Sequence, residues 1–235
     1  MNRSNIAVAV ALCALGVAGG PVARAGTPLT NVTFVAFDTE TTGLSRHSDR
    51  VVELAAIKFR NGVVIDEKRW LIDPQMPIPA AATRVHGITD QMVKDAPHFP
   101  RVMRQFVVFM DDAVLLAHNA PFDVGIIHSE LSRNAMDAPT NAVLDTLPLT
   151  RAWFPEIKRH NLESLATHLQ LQPERYHRGL DDTLTLVEVF RRGLQKMGPA
   201  ATIEDIERMA RGPLFFGADA PRRGLNEGAK LESRP

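Results

Sequence analysis

The first third of the chain alternates short apolar runs with turn-forming residues, which is the pattern of β-strands. The run over 32–37 is rich in β-branched and aromatic residues and stops at Asp38, as expected of a buried strand. Two more strands are predicted over 50–60 and 63–72. Between them lies Asn61-Gly62, which favours a two-residue hairpin because both central positions of that turn need a positive φ. We therefore expect these two strands to be antiparallel.

Helical and strand patterns alternate along the rest of the chain, after a loop imposed by Pro74, Pro77 and Pro79. The predicted elements are a helix over 99–110, a strand over 113–117, a helix over 122–133, a strand over 142–144 that ends at Asp145, and helices up to residue 211, one of them capped by Asn161. Strands first, then alternating strands and helices, indicate an α/β sheet that mixes parallel and antiparallel pairs.

Residues 1–25 have the features of a secretory signal peptide. Arg3, an apolar run over 6–18 and the cleavage pattern Ala23-Arg24-Ala25 follow one another in the required order. The run holds 13 residues, whereas crossing a bilayer takes about 20. We expect a mature chain that begins at Gly26 and is periplasmic or secreted, with no membrane partner. The alternatives are a start codon placed too early or an uncleaved tether, and a segment that is not a functional signal would leave the protein cytoplasmic.

Composition limits the domain organisation and the kind of partner. We expect one domain over 26–211 and a flexible tail over 212–235, where Gly, Pro and charged residues dominate. The 27 Lys and Arg residues balance 27 Asp and Glu residues, so the chain has no global basic field. This disfavours a protein that coats long polynucleotides. It remains compatible with an enzyme that grips one strand end through bound cations.

Two carboxylates follow the first predicted strand. Side chains alternate along a strand, so Asp38 and Glu40 point the same way while Thr39 points away. Carboxylates on one face repel each other unless a cation lies between them. Thr41-Thr42-Gly43 is small enough to let backbone groups approach a ligand. The alternative is that Asp38 and Glu40 are exposed to solvent at the start of a loop and bind no cation.

A third acid opens the helix predicted over 122–133. The segment from His118 to Phe122 follows a buried strand, Asn119 or Pro121 can begin the helix, and Asp123 falls in its first turn. There it would point back towards the strand ends. The alternative is a surface carboxylate that interacts with the helix dipole.

Helical phase separates two adjacent acids further along. If 180–194 is a helix, one broad arc holds the apolar residues Leu180, Leu184, Leu186, Val187, Val189, Phe190 and Leu194. Asp182 falls inside this arc, whereas Asp181 falls opposite with Thr185, Glu188 and Arg192. A buried carboxylate costs several kcal/mol unless it is paired or bound to metal. We therefore expect Asp182 to be functional and Asp181 to be solvated.

His177 lies just before this helix, beside Gly179. The loop position would let its ring swing over a site near Asp182, where a neutral imidazole could accept a proton from an attacking water. The alternative is a surface histidine.

Together these segments resemble the DEDDh, or DnaQ-like, exonucleases, the family that includes the proofreading ε subunit of bacterial replicative polymerases, RNase T and oligoribonuclease. The matching motifs are Phe37-Asp38-Thr39-Glu40-Thr41-Thr42-Gly43-Leu44, Ala117-His118-Asn119-Ala120-Pro121-Phe122-Asp123, and His177-Arg178-Gly179-Leu180-Asp181-Asp182, with similar connecting segments at 50–55 and 85–89. The third motif places its acid five residues after the histidine, which again selects Asp182. The likeness extends from about residue 32 to residue 196.

The resemblance implies an α/β, RNase H-like fold with a five-stranded mixed sheet flanked by helices. It implies a metal-dependent 3′→5′ exonuclease that binds two divalent cations, Mg²⁺ or Mn²⁺, because all-carboxylate ligands suit these ions and zinc prefers Cys and His. The metal ligands would be Asp38, Glu40, Asp123 and Asp182, and the general base would be His177. Contacts to the strand end are expected from Thr41, Leu44, Asn119 and Phe122, with Leu44 and Phe122 under the terminal base.

The sequence is compatible with more than one nucleic-acid substrate. Single-stranded DNA 3′ ends are favoured, and short RNA, as for an exoribonuclease or oligoribonuclease, is the alternative, because one or two contacts near the ribose decide between them. A second alternative is a module that binds nucleic acid without cutting it. Association with a polymerase is disfavoured because the family's intracellular proofreaders carry no export signal. Association with a sliding clamp is disfavoured because the stretch at 212–216 lacks the leading glutamine usual in clamp-binding peptides.

Overall fold

The computed structural model describes residues 26–171 and 179–217, which form one sheet with helices on both faces. The strands are β1 Thr33–Thr41, β2 Val51–Arg60, β3 Val63–Leu71, β4 Val114–Ala117 and β5 Val143–Asp145. The helices are α1 Ala80–His86, α2 Asp90–Val93, α3 Phe99–Met110, α4 Pro121–Arg133, α5 Thr146–Trp153, α6 Leu162–His168, α7 Gly179–Met197 and α8 Ile203–Met209.

The sheet has the five-stranded, mixed topology that the sequence predicts. Its strand order is β3-β2-β1-β4-β5, with β1, β2 and β3 antiparallel and β4 and β5 parallel to β1. The tight hairpin between β2 and β3 is confirmed, with φ of 49° at Asn61 and 74° at Gly62. Asn161 caps α6 as predicted, since its side chain accepts a hydrogen bond from the Ser164 N–H.

Alternation along β1 assigns its side chains to two separate cores. Val35 and Phe37 pack with α3 and α4 on one face, whereas Phe34 and Ala36 pack with α5, α7 and α8 on the other. The same alternation continues past the predicted end of the strand at residue 37, because β1 runs on to Thr41. Asp38 and Glu40 therefore belong to the α7 face, and Thr39 to the α4 face.

Two short helices between β3 and α3 were not predicted. α1 and α2 have few residues each and lack a long apolar period, so the pattern there indicates only a loop. α1 ends at Gly87, whose φ of 72° forms the left-handed cap, and the carboxylate of Asp90 accepts the N–H of Ile78. These contacts close a small apolar cluster on β2 around Val52.

The chain remains packed beyond the domain boundary predicted at residue 211, and the expectation of a flexible tail is wrong for 212–217. Leu214 pairs with Val143 at the open edge of β5 through two backbone hydrogen bonds of 2.8 and 2.9 Å. Phe216 is fully buried with its ring 6.0 Å from that of Phe37, and its carbonyl oxygen lies 2.7 Å from Nδ1 of His128. Two apolar anchors and an edge pairing outweigh the Gly and Pro content on which the prediction depended.

We predict that Phe216→Ala lowers the free energy of unfolding by about 3–5 kcal/mol, because it removes a fully buried ring from the core under β1. Chemical denaturation measures the loss. The matched control is Phe215→Ala, because the neighbouring ring is 38% exposed and should cost far less. Equal losses in the two variants would show that Phe216 does not anchor this segment.

The predictions for residues 1–25 and 218–235 lie outside the described residues. No helix in the described part of the chain is both long and apolar enough to cross a membrane. Cleavage and export of the N-terminal segment stay predictions.

Candidate metal centre

Three of the four predicted metal ligands converge where α7 crosses β1. Asp38 and Glu40 extend from one face of β1, and Asp182 comes from the first turn of α7. Each contributes a carboxylate oxygen, and these oxygens all lie within 4.8 Å of one another. Three negative charges this close are mutually repulsive without a cation. An all-oxygen set of this kind fits Mg²⁺ or Mn²⁺, so the residues present suit the ion that the sequence indicates.

The fourth predicted ligand, Asp123, approaches from the opposite side of β1. It is buried in the first turn of α4, and its Oδ1 accepts hydrogen bonds from the backbone N–H of Thr39 at 3.2 Å and from the Thr39 hydroxyl at 2.6 Å. Thr39 lies between Asp38 and Glu40, so Asp123 is tied to the same strand end without belonging to the cluster of three. Its burial argues against the alternative of a surface carboxylate.

The buried face of α7 is rotated slightly from the predicted arc. Leu184, predicted to be buried, is 40% exposed, while Thr185, predicted to be solvated, is 5% exposed. The Thr185 hydroxyl can be buried because it donates to the carbonyl oxygen of Asp181 at 2.9 Å. Asp181 and Asp182 are both partly exposed, but only Asp182 joins the cluster. The rotation leaves the choice between the two acids unchanged.

Replacing Asp182 with alanine should weaken Mn²⁺ binding by at least about tenfold, because even outer groups around a metal change affinity by roughly 10- to 100-fold. Asp181→Ala should leave the affinity almost unchanged, since that carboxylate lies outside the cluster. Isothermal titration calorimetry on both variants measures the difference. Equal losses would mean that the assignment of Asp182 over its neighbour is wrong.

A hydrogen-bonded loop leads from β4 into α4 and fixes the approach of Asp123. The ring of His118 lies 2.9 Å from the Thr146 hydroxyl through Nδ1 and 2.5 Å from the His160 carbonyl through Nε2. Asn119 has a φ of 61°, which turns the chain into the helix. These contacts hold His118 as part of the scaffold of the loop.

Asp145 lies beside the loop that precedes Asp123 and was predicted only as the end of a strand. Its Oδ1 accepts the N–H of Ala120 at 3.2 Å and the N–H of Leu147 at 3.0 Å, so it joins the loop before Asp123 to the start of α5. Burial raises the pKa of the Asp145 carboxyl, and these hydrogen bonds oppose the rise. An Asp at the N-cap of a helix that follows a strand was a signal that could have identified it.

The residues predicted to contact the nucleic-acid strand differ in exposure. Thr41 donates its hydroxyl hydrogen to the Gly43 carbonyl at 2.6 Å, and Leu44 is partly exposed in the loop after β1. Phe122 is only 8% exposed, so less of its ring than of Leu44 is available to a base. Asn119 lies partly exposed before α4. His177 falls in 172–178, outside the described residues, and its role stays a prediction.

A second acid beside the cluster, Glu53, was missed as a functional candidate. It lies directly opposite Glu40 in the pairing of β1 and β2 and is 1% exposed. Burial raises the pKa of the Glu53 carboxyl, while Arg69 acts in the opposite direction. The sequence signal was an acid within the apolar run Val51-Val52-Glu53-Leu54-Ala55, in a strand that should be buried on both faces.

Comparisons with known proteins find similar sequences and similar folds. Residues 35–190 match the family model described as Exonuclease, RNase T. The DNA polymerase III PolC-type protein of Clostridium perfringens is 36% identical over 179 residues, which cover 75% of this chain and 12% of that protein. This chain therefore spans only a small part of the length of such relatives.

Solved structures share the fold. Exonuclease X, in a complex with 5′-overhanging duplex DNA, superposes with a TM-score of 0.61 at 24% identity, covering 75% of this chain and 99% of that one. The zinc-bound complex of E. coli exonuclease I with single-stranded DNA gives 0.63 at 21% identity, covering 70% and 41%.

Proposed function

The chain belongs to the exonuclease family of RNase T and the DnaQ-like 3′→5′ exonucleases, and from this premise we propose that it hydrolyses phosphodiester bonds at the 3′ ends of single-stranded DNA. The observation that carries the proposal is the convergence of Asp38, Glu40 and Asp182 within 4.8 Å at the end of β1. A degenerate binding module has no physical need for three carboxylates held so close together.

In the proposed reaction the acids hold two divalent cations. Asp38, Glu40 and Asp182 would be ligands of these cations, and Asp123 would contribute from α4. The cations supply Lewis acidity at the attacking and the leaving oxygen when they are bound. The protein contributes fixed orientation: Asp38 and Glu40 are set by β1, Asp182 by α7, and Asp123 by its two hydrogen bonds to Thr39.

His177 is the proposed general base. It precedes the first residue of α7, Gly179, by two positions in the sequence. In this role the imidazole accepts a proton from the attacking water, whose oxygen bonds to the phosphorus of the terminal nucleotide as the bond from phosphorus to the 3′ oxygen of the shortened strand breaks. That 3′ oxygen takes a proton from solvent, and the terminal nucleotide leaves as a 5′-monophosphate.

The terminal nucleotide is proposed to rest against Leu44, with the exposed edge of Phe122 beside it. Thr41 and Asn119 supply polar contacts to the sugar and phosphate. The loop that carries Leu44 is stiffened by Asp49, whose carboxylate accepts the Thr42 hydroxyl at 2.9 Å and the Ser45 N–H at 2.7 Å. An apolar resting surface accepts any base, which fits trimming without sequence preference.

DNA is favoured over RNA because the similar structures of exonuclease X and exonuclease I are complexes with DNA and the PolC-type relative is a DNA polymerase. A competition assay tests this proposal: 5′-labelled DNA and RNA of one sequence are digested together with Mg²⁺. We expect the DNA to shorten from its 3′ end faster than the RNA. Faster loss of the RNA would move the proposal to an exoribonuclease, and binding of both strands without cutting would contradict catalysis.

We also propose that the enzyme acts outside the cytoplasm, because residues 1–25 have the order of a signal peptide. Cell fractionation of the native host decides between this location and a cytoplasmic one, where association with a polymerase would be the competing role. Recovery with periplasmic or secreted markers supports export, and recovery with cytoplasmic markers contradicts it.

A further inference from the structure

The sheet face that carries Asp38 and Glu40 holds a third acid, Glu53, for which the proposed metal centre has no use. Opposed residues in an antiparallel pair share a face, and Glu53 is opposite Glu40. Both are buried. A buried carboxylate beside another destabilises the fold unless its charge and hydrogen-bonding capacity are satisfied, so the structure must hold Glu53 in some other way.

Both carboxylate oxygens of Glu53 are engaged by protein groups. Oε2 accepts a hydrogen bond of 2.6 Å from Nε of Arg69 on β3, and Oε1 accepts one of 3.1 Å from the backbone N–H of Gly179. Gly179 is the first residue of α7. Glu53 therefore links the third strand of the sheet to the N-terminal end of the helix, where a carboxylate also interacts favourably with the helix dipole.

The first turn of α7 fits closely over this carboxylate. A Cβ atom at Gly179 would lie 2.8 Å from Oε1 of Glu53 and 3.0 Å from the Cβ of Ala55, so only glycine allows the approach. The Thr183 hydroxyl donates to the Gly179 carbonyl and closes the same turn. Asp182 belongs to this turn, one residue before Thr183.

We propose that Glu53, clamped by Arg69, is the positioning residue of the metal centre. It fixes the start of α7 on β2 and thereby holds Asp182 at ligand distance from Asp38 and Glu40. The inference rests on the proposed function, since it assigns a role within the same site. Arg69 has two effects: it neutralises Glu53 beside Glu40, and it restrains the carboxylate that receives the helix.

The test is Mn²⁺ binding to the full chain, measured by isothermal titration calorimetry without substrate. Glu53→Gln keeps the shape but removes the negative charge and one of the two acceptor oxygens, so that Arg69 and the Gly179 N–H can no longer both be bound, and Arg69→Met removes the guanidinium that restrains Glu53. We expect each variant to raise the Kd for Mn²⁺ by about 10- to 100-fold. The matched control is Glu67→Gln, an exposed acid on β3, which should bind as the wild type does.

The direction in which Arg69→Met changes the Kd for Mn²⁺ distinguishes a positioning role from a purely electrostatic one. Loss of a nearby positive charge should tighten cation binding if Glu53 and Arg69 act only through their electric field, whereas loss of positioning weakens it. Tighter binding in Arg69→Met, or unchanged Kd in both variants beside a wild type that binds, would overturn the proposal. A wild type that bound no Mn²⁺ would overturn the proposed function and this inference with it.

Amide hydrogen exchange gives a second readout that needs neither metal nor activity. Amides over 179–183 should exchange faster in both variants, while those of α3, on the other face of the sheet, stay protected. Unchanged protection at the start of α7 in folded variants would overturn the proposal.

Discussion

Replacing Asp38 with alanine should lower the rate of strand hydrolysis by at least about a thousandfold, which corresponds to roughly 4 kcal/mol of lost transition-state stabilisation. Asp38 is central because it shares one face of β1 with Glu40 and lies within 4.8 Å of Asp182 through the carboxylate oxygens. Glu53, the further acid described on that face, cannot take the place of Asp38 because it is already bound by Arg69 and Gly179.

A stability measurement separates this loss from misfolding. A single cooperative melting transition of Asp38→Ala in the absence of metal would show that the variant is folded. Asp112→Ala, at an exposed turn after α3, is the matched control and should keep full activity. Near-normal hydrolysis by a folded Asp38→Ala variant would show that the metal centre is wrongly assigned.

Replacing His177 with alanine should lower turnover by about 10²- to 10⁴-fold, the usual contribution of a general base, while leaving the Kd for Mn²⁺ unchanged. Turnover and metal affinity should respond differently because the proposed metal ligands are all carboxylates. The imidazole would transfer a proton without binding an ion. Steady-state kinetics and titration calorimetry on the same preparation measure the two quantities.

The control for this prediction is His98→Ala, which replaces a half-exposed histidine that pairs with Asp73 at 3.4 Å and is not a member of the cluster. It should behave as the wild type in both assays. If His177→Ala instead weakened Mn²⁺ binding with little change in turnover at saturating metal, the side chain would be a ligand and the general base would have to be sought elsewhere.

Much of the fold follows from local pattern. The hairpin could be predicted from two adjacent residues, Asn61 and Gly62. The strands and helices could be predicted from the spacing of apolar residues along the sequence. Asp182 could be selected over Asp181 because helical phase needs no knowledge of the partner element. The choice is unaffected by the error at Leu184, because Asp182 joins the cluster with Asp38 and Glu40 and Asp181 does not.

The remaining features depend on contacts between distant parts of the chain. The hydrogen bonds from Thr39 to Asp123 join residues 84 positions apart, and that from Gly179 to Glu53 spans 126 positions. Pattern reading could identify a carboxylate in an apolar run but could not supply Arg69 as its partner. In the same way, the Gly and Pro content of the last residues concealed Phe216, whose burial depends on the space beside Phe37.

The most direct test of the central claim is digestion of 5′-labelled single-stranded DNA by the purified protein with Mg²⁺, beside a chelator control and Asp38→Ala. We expect a ladder that shortens one nucleotide at a time from the 3′ end and that is lost in both controls. An intact strand that is bound but never shortened by the wild type, or a ladder that persists in chelator, would contradict a metal-dependent 3′→5′ exonuclease at this site.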